Sequence, residues 1–385
     1  MTEIESQPEG ALAGIRVIDL TRILAGPFCT MLLADMGAEV IKVESPGSGD
    51  PIRTQGIVKE GMSWYFAQFN RNKKSVTLDL YSDEGKAKLA ELLKGADVLV
   101  ENFRPGVLAK MGFDETRLRD LNPRLVVGSV NGYGSTGPYV DRPSFDFIAQ
   151  AMSGFMSVNG PPDGEPMRAA PPMSDLIAGL YCAFGVVTAL NARHRTGRGQ
   201  NVESSLTNGL ISMMAFLSAE YFATEKVPVR TGNNHTIVAP YGLFKASDGA
   251  IAVAPSNDTF VERFLAAIGL RSLLEEDRFR TNADRMHNRT DLMELIDAVT
   301  ERESVDHWID VINKAGCPCG RVMGLDEVFA DPQVRATQMV LDVDHGASGM
   351  VRMTGFPVKL SETPPRIRRP APRLGEHNDE ILGED

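Results

Sequence analysis

The sequence predicts an α/β protein: a mainly parallel, doubly wound sheet in a large domain, with a smaller α+β domain after it. Three observations predict it. Short β-branched runs alternate with helical patterns through the first third of the chain. Two long apolar helix patterns occupy the middle. A turn-rich stretch then leads into strands around a tight turn. In order, Gly14–Leu20 is a strand, and Pro27–Met36 is a helix bracketed by Gly26 and Gly37. Glu39–Glu44 and Ser75–Leu80 are strands. Asp83–Leu93 is a helix with acids in its first turn, where they suit the dipole. Asp97–Val100 and Leu125–Val130 are further strands. In such a sheet, ligands sit at the carboxyl ends of the strands. Asp175–His194 and Ser204–Glu225 read as long helices. The second is apolar around most of its circumference (Leu210, Ile211, Met213, Met214, Phe216, Leu217), so it needs a partner surface. Lys226–Asn234 reads as a linker, and Tyr241–Lys245 and Ile251–Pro255 as strands around the Ser247-Asp248-Gly249 turn. Helical patterns continue to about Ala315, and Val351–Leu360 is a last strand region.

With 385 residues the chain has length for two or three domains. Forty Lys and Arg against 51 Asp and Glu give a net charge of −11, which argues against a general nucleic-acid or membrane binder. The first residues, MTEIESQPEG, lack the basic and apolar regions of a secretory signal. Leu176–Leu190 is the longest apolar stretch. It falls short of the ~17–25 residues a bilayer span needs, so it reads as a buried core helix. Four cysteines make no disulfide framework in a chain this long, and a reducing cytoplasm is the expected compartment. Cys317-Pro-Cys319 has one residue too few for a C-x-x-C motif.

Gly132-Tyr-Gly134-Ser-Thr-Gly137 matches G-x-G-x-x-G. However, Pro138 and a polar stretch follow where a dinucleotide site needs a helix to open, so this is a glycine-rich turn and no nicotinamide is expected. There is no P-loop pattern and no G-x-S-x-G elbow. The six histidines show no metal-ligand spacing. Basic residues cluster at Arg71, Lys73 and Lys74 and at Arg104 and Lys110, near strand ends where an anion would sit. Asp175 is the informative acid. It lies in Pro171-Pro-Met-Ser-Asp175-Leu-Ile-Ala-Gly179, just before the most apolar helix. It reads either as a helix N-cap or as a carboxylate nucleophile toward an activated acyl carbon, with apolar neighbours excluding water.

The segments GIRVIDLTRILAGPFCTMLLADMGAEVIKVESPGSGD, FNRNKKSVTLDL, VENFRPGVLAKMGF, NGYGSTGP, MSDLIAGLY, RHRTGRGQNVESSL, APYGLFKASDG, GCPCGRVMGLDEVFADPQV and LGEHNDEIL together resemble the family III (CaiB/BaiF) CoA-transferases. The resemblance runs from about residue 12 to 383. It implies a Rossmann-like large domain built from both chain ends (10–200 and 326–385), a linker helix (201–230) and a small α+β domain (231–325). It also implies two subunits interlocked as rings in a homodimer.

By the same resemblance Asp175 is the nucleophile. It attacks an acyl-CoA thioester to give a mixed anhydride, which CoA thiolate converts to an aspartyl-CoA thioester. The acceptor acid then takes the CoA, without metal or ATP. Ala25, Leu78, Asn102, Phe103, Lys110 and Met111 match positions lining the family's CoA cleft, Lys110 standing where one branch has an Arg. Two basic positions of that branch become Ser45 and Tyr81, so Arg104, Arg71 and Lys73 are the expected replacements for the phosphates. Leu24 replaces a glutamine that meets oxalate, which argues against oxalate. Gly232, in TGNNH, is a candidate for a loop whose N–H groups hold the oxyanion. TRILAGPF and NRNKKS look closer to the succinyl-CoA:dicarboxylate branch. That branch implies succinyl-CoA as donor and a dicarboxylate or hydroxyacid as acceptor, its remote carboxylate met by Arg22, Arg71 or Arg168. The alternative is an α-methylacyl-CoA racemase, whose His-Asp pair falls on Phe145-Asp146.

Overall fold

The computed structural model describes residues 10–383, and residues 1–9, on which the reading of the N-terminus rests, lie outside them. The chain divides into two compact units. One comprises Met1–Met156, Arg168–Lys226 and Pro332–Asp385, the other Ser157–Met167 and Val227–Asp331.

The first unit holds the parallel sheet. Its strands are β1 (Arg16–Asp19), β2 (Glu39–Glu44), β3 (Lys73–Thr77), β4 (Val98–Glu101), β5 (Val126–Asn131) and β6 (Asn201–Ser205). All neighbouring pairs are parallel, in the order β3-β2-β1-β4-β5-β6. The order reverses between β1 and β4. Crossovers leave these two strands in opposite directions, which opens a crevice above their carboxyl ends.

Strand periodicity sends alternate residues to opposite faces. Val17, Val40 and Val98 join a core under helices α1 (Ala25–Asp35) and α5 (Met173–Thr196). Ile18, Ile41 and Leu99 join a second core with Leu89 and Leu93 of α3 (Asp83–Lys94). Other helices of this part include α2 (Trp64–Asn70), α4 (Asp146–Met152), α6 (Leu206–Ser212) and α7 (Ala215–Thr224). By length and composition α5 could cross a membrane, but it packs as the central helix of this core. A Cβ on Gly179 would stand 2.4 Å from the Ala25 carbonyl oxygen, so glycine lets α5 meet the start of α1.

The segment 201–230 is not a single linker helix. Residues 201–205 pair with β5 and extend the sheet, because the register places Val202 opposite Gly128. The helix expected over Ser204–Glu225 is broken between α6 and α7, where Ala215 takes a left-handed φ of 48°.

The second unit has an antiparallel sheet of β7 (Gly242–Ala246), β8 (Gly249–Val253) and β9 (Cys319–Arg321), ordered β9-β8-β7. Phe244, Phe264, Ile296, Trp308 and Ile312 fill its core. Its thiols Cys317 and Cys319 are each pushed up to about 11 by burial, so they are not poised as nucleophiles.

The chain then returns to the first unit. There β10 (Val340–Asp344) and β11 (Met350–Thr354) form an antiparallel ribbon that shares a core with Phe66 of α2. The last segment clips onto β3: the His377 N–H donates to the Ser75 carbonyl (2.9 Å), and Asn378 Oδ1 accepts the Thr77 N–H (2.9 Å).

Candidate active site

The loop after β1 builds one wall of the crevice. Lys42, on β2, is fully buried. It donates to the Thr21 carbonyl (2.8 Å) and pairs with Asp50 (2.9 Å). Asp50 in turn accepts the Ile23 N–H (3.1 Å). These contacts hold Ile23 at a φ of 69°, an unfavourable left-handed conformation for a β-branched residue. Across the reversal point, Asn102 accepts the Arg22 N–H (2.9 Å) and donates to the Arg22 carbonyl (2.8 Å). Thus Asn102 ties the end of β4 to the end of β1 as a backbone strand would.

Asp175 comes from α5. The helix starts at Met173, so Asp175 is in its first turn and is not the N-cap. Among the described residues no donor reaches its carboxylate. It is half-buried, and burial together with the nearby Asp146 charge pushes it up to about 7. Tyr65 of α2 is pushed up to about 12 by its own burial and by the charges of Asp175 and Asp50. An unpaired carboxylate in such a position is not spent on capping, and a group shifted this far is a candidate functional residue.

Asp175 lines a cavity of about 220 Å³ with Arg22, Leu24, Ala25, Asn102, Phe103 and Arg104. Gly132–Gly134, Arg142 and Phe145 also line it. The structure therefore brings seven sequence-predicted residues together: Asp175, Arg22, Leu24, Ala25, Asn102, Phe103 and Arg104. Leu78 is buried in the core beneath α3, and Lys110 and Met111 lie in and after the short helix that follows β4. None of these three lines the cavity.

The basic cluster at 71–74 is a correction. Arg71 is 1% exposed and pairs with Asp35 (2.8 Å), and it donates to the Thr354 carbonyl. Lys73 is fully buried on Asp19 (3.1 Å), and Lys74 pairs with Glu39 and Glu380. Burial brings Lys73 down to about 8, against the pull of Asp19. Arg71 and Lys73 are enclosed by these partners, and none of the three lines the cavity of Asp175. Arg168 donates to neighbouring backbone carbonyls and does not line the cavity. Gly232 belongs to the second unit, and its N–H is already committed to the Gly160 carbonyl (3.1 Å).

Sequence reasoning missed Arg142, Tyr65 and the binding-site place of the Gly132–Gly134 turn. Arg142 stacks on Tyr139 at 3.7 Å. The signal for the turn was its position directly after β5, at the carboxyl edge of the sheet.

Comparison with known proteins agrees with this geometry. The profile described as CoA-transferase family III matches residues 12–378. The acetyl-CoA:oxalate CoA-transferase of Acetobacter aceti is 40% identical, over 98% of this chain and 96% of its own length. The succinate–glutarate CoA-transferase of Agrobacterium fabrum is 37% identical, over 97% and 95% respectively. A crystal structure of a CaiB/BaiF family protein from Brucella suis superposes with a TM-score of 0.87 at 37% identity, covering 98% of this chain and 99% of that one. With an unpaired carboxylate at the reversal point of a parallel sheet and a match along nearly its whole length, this chain belongs to CoA-transferase family III.

Proposed function

We propose that this enzyme moves CoA from succinyl-CoA to a dicarboxylate or hydroxyacid through a covalent intermediate on Asp175. The observation that carries the reading is the Asp175 carboxylate, without a hydrogen-bond donor among the described residues, facing a cavity walled by Arg22, Arg104 and Arg142. A carboxylate Oδ attacks the acyl carbon, and the C–S bond breaks to release CoA thiolate. The thiolate then attacks the aspartyl carbonyl of the mixed anhydride and frees the donor acid, leaving aspartyl-CoA. The acceptor carboxylate attacks that thioester, and the returning thiolate cleaves the new anhydride at the acceptor's acyl carbon. Thioester and anhydride are close in reactivity, so no nucleotide is consumed.

The three arginines support an anionic acyl chain as well as CoA phosphates, since guanidinium forks pair well with both. Relatives named for glutarate, D-citramalate and mesaconate point the same way. Oxalate stays in the acceptor panel because of the Acetobacter relative, although Leu24 supplies no polar contact. The racemase alternative finds less support, because Phe145, an exposed ring at the cavity, cannot move a proton.

We also propose a homodimer. Leu180, Tyr181, Phe184 and Val187 are exposed on α5, and α7 has no buried residue while carrying Phe216, Tyr221 and Phe222. A surface this apolar fits a second copy of the chain.

The test is incubation with succinyl-CoA and a panel of carboxylic acids, with mass spectrometry of the acyl-CoA products. Trapping with borohydride should reduce the thioester at Asp175 and mark that peptide. New thioesters with a modified Asp175 peptide are expected. Transfer that persists in Asp175→Ala would overturn the covalent reading.

A further inference from the structure

Helix α5 has no side-chain cap of its own, since Pro172 stands at the N-cap. The cap arrives from α4. Asp146 Oδ1 accepts the Ser174 N–H (2.9 Å) and the Ser174 hydroxyl (2.8 Å). Its Oδ2 accepts from Gln150 Nε2 (2.7 Å), and Gln150 Oε1 accepts the Ala169 N–H (2.8 Å). Ser174 and Gln150 are fully buried, and Asp146 is nearly so. The chain leading into α5 is therefore held at Ala169 and at Ser174, the residue next to Asp175.

We propose that Asp146 is a positioning residue for Asp175: its carboxylate caps the first turn of α5 from α4 and keeps a second negative charge beside the nucleophile. The proposal rests on the nucleophilic role of Asp175. A neutral group could cap the turn, but a carboxylate also disfavours ionisation of its neighbour. A more basic carboxylate is the better nucleophile. The other titratable groups facing Asp175 are Tyr65 from α2, with Asp50 behind it, and the cavity arginines Arg22, Arg104 and Arg142. α6 contributes none, and Asp35 of α1 is spent on Arg71. Among the described residues, Asp146 is thus the one carboxylate whose charge opposes that of Asp175 from the helix start.

The experiment compares pH profiles of kcat/KM for Asp146→Asn and for the double variant Asp146→Asn with Gln150→Glu. In the single variant the amide oxygen at position 146 can still accept from Ser174, but its NH2 meets the Gln150 NH2. Turning the Gln150 amide over would set that NH2 against the Ala169 N–H. The double variant repairs this. Its new carboxylate at position 150 accepts from both the amide at 146 and the Ala169 N–H, while the charge leaves the residue that caps Ser174. Wild-type activity is expected to rise with pH as Asp175 ionises. The expected result is an acid limb displaced downward by ~1 pH unit in both variants, with thermal stability recovered only in the double one. Loss of Tm with an unmoved acid limb would overturn the proposal and leave Asp146 a structural cap. A wild-type enzyme that never labels Asp175 would instead defeat the underlying mechanism, so the two failures are distinguishable.

Discussion

Asp175 and Arg71 are both charged residues that the sequence marks as site candidates. Their surroundings separate them. Arg71 is enclosed and satisfied by Asp35, whereas Asp175 is half-buried and has no donor among the described residues. A carboxylate raised by burial to about 7 binds its proton more tightly folded than unfolded, where its value is 3.8. The folded state therefore holds more protons between those limits, and stability falls as pH rises through that window. Asp175→Asn removes this cost. The variant should lose transfer by at least ~10³-fold while gaining about 2 kcal/mol of stability at pH 8, after allowance for partial exposure. The gain should vanish below about pH 4. Urea unfolding of both proteins at pH 4 and pH 8 checks the sign. Equal destabilisation at both values would show that the carboxylate serves the fold.

At the scale of elements, most of the sheet was legible because its strands are apolar, short and bounded by glycine or polar turns. The Glu39–Glu44 strand has the boundaries read from the sequence. Strand β6 was not legible: NVESS is polar, and it joins the sheet only because an edge position needs burial on fewer sides. The break before α7 was hidden for the opposite reason, since the apolar pattern continues across it. The site was legible in part. Asp175 stood out by its helix context, but its cap came from Asp146, whose role depends on a contact across 28 residues of chain. Tyr65 and Arg142 could not be read because nothing local marks them. Gly179 shows how element packing sets the site. It lies one helical turn after Asp175, where α5 touches the Ala25 carbonyl. Gly179→Ala would push the two helices apart by a few tenths of an ångström or more, and Asp175 would move relative to Leu24 and Ala25. We expect a loss of ~1–3 kcal/mol from overpacking, together with a fall in kcat larger than the change in KM. Steady-state kinetics and a melting curve would check it. A variant with lower Tm and unaltered kcat would show that the contact is structural only.

For the whole molecule, the decisive question is what covers α7. Ten residues with none buried, three of them large aromatics, contradict the behaviour of an isolated chain in water. Large apolar residues are also exposed on α5, the helix that carries Asp175. A partner seated there would press on the element that orients Asp175, so assembly and activity should be linked. Light scattering should therefore give twice 41.9 kDa at micromolar concentration. Phe184→Glu and Phe222→Glu place charges on the two exposed faces, and both should lower the dimer fraction and the activity together. A merely side-by-side dimer would exchange tagged and untagged subunits within hours of mixing. Interlocked rings cannot separate without opening a ring, so exchange should require denaturant. A wild-type protein that is monomeric and fully active at assay concentration would refute both arrangements, leaving the apolar faces to another partner.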